Sequence, residues 1–144
     1  MACFCPPQKQ LHLSSGVGIE GLAMGNKILV VEDNPDNMKL VTWILEDEEY
    51  VVTGVNCAED CLARMEQEEF DVVLMDISLP GIDGKEATRR LRAQERFQHL
   101  PIIALTAHAI KGEDEEILAS GVTDLITKPL DEEILLDRLR KLLN

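Results

Sequence analysis

Positive charge is in short supply: the 144-residue chain carries 14 Lys and Arg against 27 Asp and Glu, a formal net charge of −13 at pH 7. Phosphate backbones are bound by clustered Lys and Arg that displace counterions, so a surface this negative excludes nucleic acid as a partner. Anionic membrane surfaces are disfavoured on the same ground. Also missing is any apolar run near the roughly 20 residues that a bilayer-crossing helix needs, so no membrane insertion is expected. No basic stretch followed by an apolar one marks a secretory signal at the amino terminus. Of the four cysteines, Cys3, Cys5, Cys57 and Cys61, no two stand in the C-x-x-C spacing usual for zinc. With no secretory context the compartment is expected to be reducing, and Cys57 and Cys61 to pack as small apolar residues one helical turn apart.

What the chain does have is 45% hydrophobic residues, enough for one domain with a core. Residues 1–26 show no sustained period of 2 or 3.6 and contain Pro6, Pro7, Gly16, Gly18, Gly21 and Gly25. They are expected to form a disordered extension ahead of a folded domain over residues 27–144. Met24 makes a natural start just before the first strand, so the simplest reading of the extension is an added leader or a start placed too far upstream.

From Lys27 onward short apolar runs alternate with amphipathic stretches, the pattern of repeated strand-helix units on a parallel sheet. The runs are Ile28 to Val31, Val51 to Val55, Val72 to Met75, Ile102 to Leu105, and a short one at Leu125 and Ile126. Three are continuous, as strands covered on both faces should be. Helices are predicted over residues 36–48, 59–68, 84–95, 109–119 and 131–142. In the first, Met38, Val41 and Leu45 recur at i, i+3 and i+7, and Trp43 is expected to pack with them. Gly121 is a plausible end for the fourth, and Asp131 can cap the fifth. Pro80-Gly81 and Asp83-Gly84 read as turn chemistry, and Glu113 to Glu116 as a solvated helix face.

Four runs stop at polar or ionisable residues: Glu32 and Asp33, Asp76, Thr106, and Lys128. Right-handed crossovers make successive strands parallel, so these ends fall along one edge of the sheet, where open α/β folds bind ligands. Carboxylates gathered there repel unless a hard divalent cation with oxygen ligands neutralises them, and Mg²⁺ is the expected ion. A magnesium ion so held keeps room for a phosphoryl oxygen, which makes Asp76 a candidate nucleophile at phosphorus, with Lys128 and Thr106 stabilising charge on the phosphoryl oxygens. His108 is left out of the site as an exposed loop histidine.

ILVVEDNPDN, VVLMDISLPGIDG, IIALTAHA and ITKPL together resemble the receiver domain of two-component response regulators, and the resemblance covers residues 27–144. It implies a flavodoxin-like α/β fold of five strand-helix units in strand order 2-1-3-4-5, an order for which a chemotaxis receiver is a standard example. It assigns Asp76 as phosphoacceptor and gives Glu32 and Asp33, with the backbone carbonyl of Ser78, to the Mg²⁺. Lys128 and Thr106 would contact the phosphoryl group, and the Lys128-Pro129 bond would be cis. The family's switch aromatic falls on Leu125, which has no ring to swing inward, and this puts the route of conformational output in question. By the same resemblance the partners would be a sensor histidine kinase or histidine phosphotransfer protein and a downstream protein target. The chain would be a cytoplasmic phosphorelay module acting as a monomer or weak dimer, stand-alone rather than excised from a hybrid kinase, and not an enzyme beyond its own phosphorylation and dephosphorylation.

Three rivals remain. An aspartyl-phosphate phosphohydrolase would usually want a second acid two residues after Asp76, where Ser78 stands. A flavodoxin-like FMN binder would want a hydroxyl- and glycine-rich loop in place of EDNPDN. A receiver-like scaffold that is never phosphorylated has no support while every site residue is present.

Overall fold

A computed structural model describes residues 25–107 and 112–143. Among them the order of elements is β1 (Lys27–Val31), α1 (Pro35–Asp47), β2 (Val51–Val55), α2 (Ala58–Gln67), β3 (Val72–Asp76), α3 (Gly84–Arg92), a 3₁₀ turn (Glu95–Phe97), β4 (Ile102–Thr106), α4 (Glu113–Ala119), β5 (Asp124–Thr127) and α5 (Glu132–Leu143). The strands form one parallel sheet in the order β2-β1-β3-β4-β5, the expected doubly wound α/β order. The expected extension falls mostly outside the described residues, as do His108 and the predicted start of the fourth helix.

The continuous apolar runs follow from two covered faces. Successive strand side chains point to opposite sides of the sheet. Leu29, Val31, Val73, Met75, Ile102 and Ala104 join one core with α2, α3 and α4 residues such as Cys61, Leu91 and Ile117. Ile28, Val30, Val72, Leu74, Ile103 and Leu105 join the other with Val41, Ile44 and Leu45 of α1 and Leu135, Leu136 and Leu139 of α5.

Three caps set where helices begin at the edge that carries the polar residues. Asn34 Oδ1 accepts from the N–H of Asp36 (2.9 Å) and of Asn37 (3.0 Å), with Pro35 opening α1. Asp83 caps α3 through the N–H of Glu86 (2.9 Å), and Asp131 caps α5 through the N–H groups of Glu133 (2.9 Å) and Ile134 (3.2 Å). Gly121, at φ 114°, follows the end of α4 as the sequence suggested.

Two expectations are corrected. Trp43 does not pack: it is 69% exposed on the outer side of α1, opposite Val41, Ile44 and Leu45. Cys57 and Cys61 are both buried as expected, but Cys57 is disulfide-bonded, so the expectation of thiols holds for Cys61 alone.

Candidate functional site

Sheet register assembles the site. Val31 of β1 stands beside Met75 of β3, so Glu32 follows next to Asp76. Asp76 in turn is level with Leu105 of β4, and Thr106 with Thr127 of β5. Lys128 comes one residue later, its N–H bonded to the Thr106 carbonyl at 2.7 Å. Four residues spread over nearly a hundred positions thus meet at the C-terminal edge because each lies at the end of one of the parallel strands β1, β3, β4 and β5.

Within this row, Glu32, Asp33 and Asp76 each bring a carboxylate oxygen within 4.8 Å of the others. Glu32 and Asp76 are buried and Asp33 is exposed. Lys128 Nζ lies 3.1 Å from Glu32 Oε1 and 3.4 Å from Asp76 Oδ1, bridging the two buried acids. The Ser78 N–H donates to Asp76 Oδ1 (3.1 Å) and the Asn34 N–H to Glu32 Oε2 (3.3 Å). Thr106 is buried at the end of β4, and the Lys128-Pro129 bond is cis. The structure therefore brings Glu32, Asp33, Asp76 and Lys128 into one cluster, with Thr106 in the adjoining strand end and Ser78 exposed in the loop after β3.

One ammonium does not balance three carboxylates. Two such charges at 4–5 Å repel by roughly 3 to 4 kcal/mol at an effective dielectric near 20. Burial pushes the Glu32 carboxyl above its ordinary value and the adjacent Asp76 pushes it the same way, while Lys128 pulls it back. A hard cation would relieve this repulsion, and the donor set, all carboxylate oxygen, is of the kind that suits Mg²⁺ rather than zinc or a softer metal. The residues fit the expected ion.

Two contributors were not read from the sequence. Asn34 both caps α1 and turns its N–H onto Glu32, and Asn-Pro at a helix start was the available signal. Gly84, which the sequence presents as a turn residue, lets α3 begin against the end of β3: a Cβ there would run into the Asp76 carbonyl and come within 2.9 Å of Ile77 Cα.

The family model of the response regulator receiver domain matches residues 28–140. The chain belongs to that family. The match to the sensor protein GacS of Pseudomonas syringae pv. syringae is 44% identical over 109 residues, covering 74% of this chain and 12% of that protein. The polar-differentiation response regulator DivK of Brucella ovis is 36% identical over 107 residues, covering 74% of this chain and 87% of that one. Among solved structures, the receiver domain of a sensor histidine kinase from Pseudomonas aeruginosa PAO1 superposes with a TM-score of 0.78 at 39% identity, covering 83% of this chain and 98% of that one. That structure is described as holding a magnesium ion coordinated in its active-site cleft. The chain spans about an eighth of the length of the sensor kinases it matches. It is thus a receiver domain of the kind found in hybrid sensor kinases and in response regulators of two-component signalling. No helix among the described residues is long and apolar enough to cross a membrane.

Within this receiver, Leu125 is partly buried against the core under α2, α3 and α4, and its carbonyl accepts from Arg138 of α5 (3.3 Å), which also pairs with Asp124 (2.8 Å).

Proposed function

We propose that Asp76 is the phosphoacceptor of this receiver and that residues 27–144 form a cytoplasmic phosphorelay module. A carboxylate oxygen of Asp76 attacks the phosphorus of a phosphohistidine on a sensor histidine kinase or histidine phosphotransfer protein. A P–O bond forms, the P–N bond breaks, and its electron pair leaves on the imidazole. The observation that carries this reading is the cluster itself, with Lys128 bridging Glu32 and Asp76 beside exposed Asp33. Glu32, Asp33 and Asp76, with the Ser78 carbonyl, would hold Mg²⁺. When bound, the ion supplies neutralisation of charge on the phosphoryl oxygens and of the carboxylates around them.

The chain's own groups do the rest. Lys128 is held beside the nucleophile by Glu32 and is placed to pair with the phosphoryl charge, roughly −1.5 to −2 at pH 7. The Ser78 N–H fixes the orientation of the Asp76 carboxylate. Thr106, the last residue of β4, is the hydroxyl assigned to the phosphoryl group. The chain serves as substrate of its own transfer and turns over no other molecule, and its output is binding to a downstream protein.

The acyl phosphate is localised by chemistry. After incubation with a phosphorylated histidine phosphotransfer domain and Mg²⁺, hydroxylamine should release the phosphate and leave a hydroxamate on Asp76, read by tandem mass spectrometry. A hydroxamate on any other carboxylate, or a hydroxylamine-stable phosphate, would overturn the assignment.

A further inference from the structure

We propose that the free edge of β2 takes an added strand from the chain's own residues 8–24, which lie outside the described residues, and that this strand runs antiparallel to β2. Two strands end the sheet, β2 and β5. In β2 the Val51 N–H donates to the Asn26 carbonyl (2.9 Å) and the Val55 carbonyl accepts from the Glu32 N–H (3.0 Å), so Val51, Thr53 and Val55 turn their backbone groups toward β1. Val52 and Gly54 turn theirs the other way, and nothing among the described residues bonds to them. An open edge of this kind is ordinarily protected by charge, proline or side-chain cover. At β5 the protection is in place: the Leu125 N–H donates to Asp124 Oδ1 (2.8 Å), its carbonyl accepts from Arg138 (3.3 Å), and Pro129 follows. The VVTGV of β2 has neither charge nor proline.

Both ends of the segment are held at β2, and this selects the occupant. Gly25, at φ 87°, stands at the start of β2, where a Cβ on it would lie 3.5 Å from Val51 Cγ2. At the far end Cys57 comes two residues after Val55 and is disulfide-bonded, while Cys61 is free. Of the four cysteines only Cys3 and Cys5 remain as its partner. Between Cys5 and Gly25 the chain therefore passes from the C-terminal end of β2 to its N-terminal end, opposite in direction to β2 itself. The five residues of β2 span about 17 Å. Residues 6–24 reach about 60 Å when extended, enough for one strand with a turn at each end. Their composition suits an uncharged edge: Lys9 and Glu20 are the only Lys, Arg, Asp or Glu, and Pro6 and Pro7 fall before the strand. Leu11 and Leu13, and again Val17 and Ile19, stand two apart, the spacing of one strand face. A second copy offers the same backbone groups, but a segment tethered at both ends of the edge competes at a far higher effective concentration.

Amide exchange in the full chain, read residue by residue by NMR, tests the pairing. In the chain equilibrated with glutathione disulfide, the Val52 and Gly54 amides should exchange at least about tenfold more slowly than in the double variant Leu13→Pro, Val17→Pro, which loses two backbone donors. Val73 and Leu74 of β3 should exchange alike in both, showing that the sheet is intact. The double variant Leu13→Thr, Val17→Thr keeps the donors and should keep the protection. Peptide mapping of the same sample should find Cys57 joined to Cys3 or Cys5. The proposal is overturned if Val52 and Gly54 exchange as fast in the wild type as in the proline variant, or if Cys57 is joined to Cys61. Protection that fades as the wild type is diluted would make the occupant a second copy, and that result overturns it too.

Discussion

Glu32 and Asp33 are neighbours in the chain but occupy different surroundings, one 1% exposed and the other on the surface. Asp33→Ala removes a carboxylate from water, so the unfolding free energy should change by no more than about 0.5 kcal/mol. Calorimetric titration should nonetheless show Mg²⁺ affinity reduced by about tenfold or more, since one of three charged ligands is gone. Unchanged affinity would remove Asp33 from the site. Cys61 supplies a pH-dependent prediction of another kind. Burial pushes its thiol from the ordinary 9.0 up to about 12. A raised thiol favours the folded state below pH 9, and that contribution is lost as pH rises toward 12. Only the thiolate reacts, so at pH 8.5 iodoacetamide should modify Cys61 on the order of a thousandfold more slowly in the native protein than in urea. Equal rates would contradict its burial.

Helices and strands show what periodicity can and cannot carry. The five strands were legible because apolar runs alternated with amphipathic stretches, and their order came from the resemblance to receiver domains. Boundaries failed where side chains override pattern. The third helix, predicted to reach residue 95, stops at Arg92, whose guanidinium donates to the carbonyls of Phe97 (2.6 Å) and Gly121 (2.8 Å) and ties the chain back through a 3₁₀ turn. Trp43 was misplaced because an apolar residue in an amphipathic helix was assigned to the core. Its position was the better guide, since it falls off the line of Met38, Val41 and Leu45. The start of α3 tests how closely element packing supports the site. Gly84→Ala should cost roughly 1–3 kcal/mol in urea unfolding, because the Asp76 carbonyl and the Ile77 backbone cannot yield as a flexible side chain would. A neutral effect would mean that α3 can shift away without loss.

At the scale of the molecule, the site exists only when the whole sheet does, since Lys128 reaches Glu32 across 96 residues. No local motif could show that contact. The rule that parallel strands bind ligands at their carboxyl ends placed the five residues together, but not the buried bridge of Lys128 or the turning of the Asn34 N–H onto Glu32. The net charge of −13 is unevenly used: part of it is gathered at the strand ends and part is paired on the helices. Phosphorylation would add negative charge where three carboxylates already meet, so it should depend on Mg²⁺ as well as on Asp76. Incubation with acetyl phosphate, with and without Mg²⁺, followed by intact-mass measurement of wild type and Asp76→Asn, tests this most directly. Wild type should gain one phosphoryl group only with Mg²⁺ and Asp76→Asn none. A wild-type chain that stays unmodified, or a variant modified to the same extent, would contradict Asp76 as the phosphoacceptor.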